Sequence, residues 1–110
     1  MEKELWEILV PKNKNNGDSF RMPHHWKWDE YVKNISGGLT IMRVAKGEWL
    51  SRTEGWFKDY VIPVRIICTL EEINDIIDFT IKHYNQEAVM AYKVSEHVII
   101  KHKEKEHEIL

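Results

Sequence analysis

Thr69-Leu70-Glu71-Glu72 has the form of a capping box: a threonine hydroxyl placed to accept the N3 amide, and a glutamate three residues on placed to accept the threonine's own amide. Behind it Ile73, Ile76, Ile77, Thr80, Ile81 and Tyr84 recur at spacings of three and four, with Asp75, Asp78 and Lys82 between them. That period lays one apolar stripe along one side of a helix. Asn85 follows, a residue that tolerates the left-handed conformation closing many helices. A helix this one-sided must be covered, so the rest of the chain has to supply a sheet or a second helix.

Stretches of strand composition surround it. Glu4 to Val10 runs into Pro11, with Trp6, Ile8 and Val10 on one face and Leu5 and Leu9 flanking Glu7 on the other. Leu39 to Val44 reads as a second strand. Ala45-Lys46-Gly47-Glu48 then reads as a turn or bulge, Trp49-Leu50 as a resumed strand, and Ser51 to Gly55 as a loop. Trp56 to Thr69 is a third strand, in which Pro63 lacks an amide to donate and belongs at an edge or bulge. Gln86 to Val94 is a fourth, and His97 to Lys101 a short fifth beyond a Ser95-Glu96 turn. A second helix is expected from Trp28 to Ser36. There Trp28, Val32 and Ile35 share a face, Asp29 and Glu30 favour the N-terminal end, and Gly37-Gly38 stops the chain's helical run. The order β-α-β-β-α-β is the ferredoxin-like plan: an α+β fold with an antiparallel sheet, two helices on one face and a short extra C-terminal strand. Residues 1–102 form the expected single domain, and 103–110 a charged tail. The uncovered sheet face favours a homodimer or higher homo-oligomer, since a large bare apolar patch is rare on a monomer.

Composition narrows function by exclusion. Net charge is −2 over 110 residues, split as +2 across 1–65 and −4 across 66–110, with no dense basic patch for duplex binding. Nucleic acid is therefore not an expected partner, and the five tryptophans lack the aromatic-and-basic strand signature of single-strand binders. One cysteine, Cys68, in an apolar run excludes a disulfide framework and suits a nucleophile poorly. The start carries Glu2 and Glu4 rather than a signal segment, and no apolar run reaches membrane-spanning length, so a cytoplasmic protein is expected. Lys12 to Ser19 is polar and turn-rich, a loop expected to be solvated and mobile.

Gly38-Leu39-Thr40, Gly47-Glu48-Trp49 and Tyr84-Asn85-Gln86-Glu87-Ala88-Val89 together resemble a family of small uncharacterised proteins of bacteria and their phages. That family's pattern is a Gly-Leu-Thr strand, a Gly-x-Trp turn and an aromatic-x-Gln-Glu segment entering a last strand. The resemblance spans roughly residues 5–94 and implies the ferredoxin-like fold. It implies no activity.

Candidate site residues follow from residue type. Lys46, Glu48, Trp49 and Arg52, around the Gly47 turn, combine cations with an indole, a set that can hold an anion and stack a base. Arg21, His25 and Trp26 lie in the compositionally unusual stretch Phe20 to Trp28, and Arg65 lies on the third strand. Gln86 and Glu87 follow the long helix, where Glu87 is a candidate general base with a histidine such as His25 or His83. Each also has a plain structural role available: a surface turn with a packed indole, or an amide and carboxylate capping a helix end. His24, His25, His83, His97 and His102 lack metal-ligand spacing, so no metal and no cofactor is expected. The glycines and Lys46 of Gly37–Trp49 do not form G-x-x-x-x-G-K-[ST], which removes a P-loop. The leading expectation is a non-catalytic homo-oligomeric module for a small anionic or nucleotide-like ligand, as in a phage sequestering protein. A small acid/base hydrolase or isomerase and a protein–protein adaptor are the alternatives.

Overall fold

A computed structural model describes residues 2–103. The chain runs β1 (Glu4–Pro11), α1 (Met22–Ser36), β2 (Thr40–Ile41), β3 (Ala45–Ser51), β4 (Gly55–Cys68), α2 (Leu70–His83) and β5 (Ala91–Ser95). The antiparallel sheet has the order β2-β4-β1-β5, with β3 pairing β4 beyond β2. This is the ferredoxin-like arrangement, its second strand split into β2 and β3. Trp6, Ile8 and Val10 of β1 stand opposite Ile66, Val64 and Ile62 of β4 on the helix-covered face. Trp28 and Val32 of α1 and Ile73, Ile76 and Tyr84 of the α2 region complete the core.

The capping box forms as its residues require. Thr69 Oγ1 accepts the Glu72 amide at 3.1 Å, and Glu72 Oε1 accepts the Thr69 amide at 2.9 Å. Asn85 takes the left-handed conformation at φ 52°. Thr80, polar on an apolar stripe, is fully buried and satisfied. The Trp28 indole N–H donates to its Oγ1 at 2.8 Å, while its own hydroxyl donates to the Ile76 carbonyl at 2.6 Å.

Three expectations need correction. First, α1 begins at Met22, six residues before Trp28, and has no acid in its first turn. Pro23 fits there because first-turn amides have no partner within the helix. Gly37 closes α1 as expected, in the left-handed region with its amide on the Lys33 carbonyl. Second, Ala45-Lys46-Gly47-Glu48 is not a turn. It is the start of β3, each residue matched to one of β4 from Val61 to Lys58. The irregularity falls earlier, at 42–44, opposite Pro63. Pro63 sends its carbonyl to the Met42 amide at 2.9 Å, so its donorless nitrogen faces the interruption between β2 and β3. Third, the last strand is shorter than expected, at Ala91–Ser95, and 97–101 forms no strand. The fifth strand of the sheet comes instead from the β2/β3 split. Lys12 to Ser19 folds on itself, exposed over 14–19, with an Asn13–Ser19 bridge and bonds from the Lys14 amide to Asp18 O and from the Gly17 amide to Lys14 O. Most of the expected tail, 104–110, lies outside the described residues.

Beyond Val61 the β3–β4 ribbon leaves the body of the molecule as an arm. Nearly every residue from Ala45 to Tyr60 is exposed, and the overall extents are 69 × 29 × 22 Å.

Candidate functional site

A cavity of about 350 Å³ lies between the first turns of α1 and the helix-covered face of the sheet. Its floor is apolar: Val10 from β1, Ile41 from β2, Val44, and Ile62 and Val64 from β4. The antiparallel register explains this floor, since Val10 faces Ile62 and Ile41 faces Val64 on the same side of the pleat. Phe20, Met22 and Trp28 add walls. Polar atoms enter from a few places: Lys12 and Ser19 where the β1–α1 loop closes, His25 and Asp29 one turn apart on α1, and Tyr84 at the end of α2.

The loop's internal bonds place the first pair. Lys12 Nζ donates to Ser19 Oγ at 3.2 Å, and the Phe20 amide returns to the Lys12 carbonyl. His25 Nδ1 and Tyr84 Oη are 2.7 Å apart. Burial lowers the His25 pKa, with His24, His83 and Lys12 adding like-charge repulsion. Burial also pushes the Tyr84 phenol far above its ordinary value, and the Asp29 charge adds to that. At neutral pH the pair is therefore an uncharged imidazole bonded to a protonated phenol. Burial raises Asp29, opposed by Lys33.

Behind this wall α1 and α2 are joined by a ladder of rings. Phe20, His24, His83, Phe79 and Tyr31 stack in succession, the two imidazoles at a centroid distance of 3.9 Å. His24 Nε2 donates to the His83 carbonyl, and His83 Nε2 donates to the His24 carbonyl, both at 2.7 Å. A carbonyl can only accept, so each ring carries a proton on Nε2.

Of the residues singled out by sequence, His25 alone lines this cavity. Arg21 and Trp26 are exposed beside it, Arg21 as the α1 N-cap. Lys46, Glu48 and Trp49 lie on β3 of the arm and Arg52 at its tip. Lys46 pairs with Glu48 at 3.0 Å, and Trp49 rests against Phe57. Arg65 is on the opposite sheet face, its Nε donating to Glu7 Oε1 at 3.0 Å. Gln86 donates to Asn15 Oδ1 and to the Tyr84 carbonyl. Glu87 is exposed and bonds to no histidine among the described residues. Lys12, Phe20, Asp29 and Tyr84 were missed as site residues. Tyr84 looked like the last rung of a core stripe, and it is that as well as a cavity wall.

Cys68 is fully buried and its thiol is pushed up to about 12, chiefly by burial. Among the described residues no group of three or more His, Cys, Asp or Glu side chains is placed to hold a metal ion. No described helix is long and apolar enough to cross a membrane.

No family model and no curated protein sequence matches the chain. Solved structures do. A phage SAM lyase in complex with S-methyl-5'-thioadenosine matches with a TM-score of 0.65 at 12% identity, covering 86% of this chain and 81% of that one. The stable protein CutA1 from the psychrotrophic bacterium Shewanella sp. SIB1 matches with a TM-score of 0.59 at 10% identity, covering 94% and 88%. At these identities the likeness concerns the fold.

Proposed function

We propose that this protein is a homo-oligomeric small-molecule-binding module whose ligand is nucleoside-like and seats in the cavity between α1 and the sheet. The cavity carries this reading: about 350 Å³, an apolar floor, an aromatic wall at Phe20 and Trp28, and a few converging polar groups. Small-molecule sites commonly have that make-up and a volume of roughly 300 Å³ or more. Phe20 offers a ring to a base, while Lys12, Ser19, Asp29 and the His25–Tyr84 pair offer donors and acceptors to a sugar. Lys12 and Asp29 oppose each other in sign, so this cavity favours an uncharged or zwitterionic ligand over a strongly anionic one. A neighbour of the same fold that carries S-methyl-5'-thioadenosine adds support.

Titration calorimetry against S-methyl-5'-thioadenosine, adenosine, AMP and S-adenosylmethionine tests this. Wild type is expected to bind at least one of them, and Val44→Trp, which fills the cavity from its floor, to lose that binding. Binding unchanged in Val44→Trp, or none across the panel, contradicts the reading.

The His25–Tyr84 contact favours a second, catalytic reading, because an imidazole and a phenol within hydrogen-bond reach at a cavity wall form a general acid/base pair. It replaces Glu87 with groups that do converge. Breakdown of S-adenosylmethionine on incubation, lost in His25→Gln and Tyr84→Phe, would establish it.

A further inference from the structure

A second cavity, also about 350 Å³, opens where α1 hands over to β2. Its lining combines Leu5, Leu39, Ile67 and Ile100 with two cations, Lys3 and Arg65, and two hydroxyls, Ser36 and Thr40; no carboxylate lines it among the described residues. We propose that this cavity binds a small anion, a carboxylate or phosphate, that carries a short apolar chain.

Glu7 is 6% exposed, although it lies on the sheet face opposite the helices. A buried carboxylate is costly unless paired and hydrogen-bonded. Here Oε1 accepts from Arg65 Nε on β4, and Oε2 accepts from the Tyr92 hydroxyl on β5. Three adjacent strands thus fix the plane of one guanidinium by its Nε edge. The terminal nitrogens of Arg65 have no bonded partner among the described residues, and their end-on pair matches the spacing of two oxygens of a carboxylate or phosphate. Glu7 offsets part of the Arg65 charge but lies outside the lining, and Lys3 leaves the cavity net positive.

The carbonyl end of α1 borders the cavity, and a bare helix C-terminus would repel an anion. This end is capped. The Val32 carbonyl accepts from Ser36 Oγ, the Lys33 carbonyl accepts the Gly37 amide, and the Lys33 side chain stands in the last turn. The aliphatic lining then selects the remainder of the ligand. Charge and apolar surface meet here as they do not in the α1–sheet cavity, where Lys12 is balanced by Asp29.

The inference is independent of the nucleoside reading. The test uses hexanoate and hexyl phosphate as probes, with hexanol and hexylamine as controls, read by methyl NMR shifts at Leu39 and Ile67 and by titration. Both anions are expected to shift those methyls, and hexanol to bind at least tenfold more weakly. Tighter hexyl phosphate would assign the headgroup as phosphate, tighter hexanoate as carboxylate. Lys3→Glu, on an exposed residue that leaves the fold intact, is expected to weaken both anions at least tenfold. Arg65→Gln is expected to do the same, with Lys82→Gln on the far side of α2 unchanged. Hexanol binding as well as hexanoate, or Lys3→Glu binding like wild type, overturns the proposal.

Discussion

His24 and His83 show how much of this molecule's behaviour rests on single side chains. Each ring is stacked on the other and bonded to the other's backbone, so the pair joins α1 to α2. Burial lowers the pKa of His24, with the charges of His83, Lys27 and Lys14 acting in the same direction; His25 is lowered too. With folded values below the ordinary 6.5, the unfolded chain binds more protons in the window under 6.5, so stability falls as pH drops through it. Thermal melts are expected to show a loss between pH 7 and pH 5 that flattens in His24→Gln. An acid-insensitive wild type would contradict this. Thr80 makes the parallel case without charge. Thr80→Val leaves the Trp28 indole N–H buried and unpaired, at an expected cost of about 1–3 kcal/mol in denaturant unfolding. Neither contact was legible in the sequence, because both join residues more than fifty positions apart. Thr80 could be placed on the apolar stripe, but not its bond to Trp28. His24 and His25 lack metal-ligand spacing, yet on α1 they face Phe20, His83 and Tyr84.

At the scale of elements, local signals were read well and the ribbon was not. The capping box, the Ile73–Tyr84 stripe, the Gly37 stop and β1 follow from short-range chemistry and formed as expected. Lys46 to Glu48 misled because Gly47 reads as turn chemistry, whereas pairing with Asp59 across β4 overrides that preference. Conversely His97 to Lys101 has strand composition but no pairing within the described residues. The arm is the consequence to test. It is two strands wide with both faces open, and an isolated two-stranded ribbon is marginal in water. Leu50, Trp56 and Tyr60 lie on one face and Trp49 and Phe57 on the other, all exposed. For the proposed homo-oligomer, this exposed apolar arm is the expected contact. Replacing Trp49 and Phe57 with serine is expected to convert the oligomer to monomer in sedimentation, while helical circular dichroism is kept. A monomeric wild type would contradict the oligomer, and an unchanged assembly in the variant would contradict the arm.

At the scale of the whole molecule, the fold explains where ligands can sit. One sheet face carries both helices, and the α1 N-terminus stands away from it just where β2 breaks from β3, which leaves the cavity. The β-α-β-β-α-β plan could be read from the sequence; this gap could not, because its lining comes from residues far apart in the chain, from Val10 to Tyr84. A nucleoside-like ligand is proposed for the cavity between α1 and the sheet. Methyl NMR during titration with S-methyl-5'-thioadenosine tests it most directly. The expected result is saturable shifts at Val10, Ile41, Val44, Ile62 and Val64, with Leu39, Ile67 and Ile100 unmoved. Shifts confined to the second group, or to the arm at Leu50, or none at saturating ligand, would contradict it.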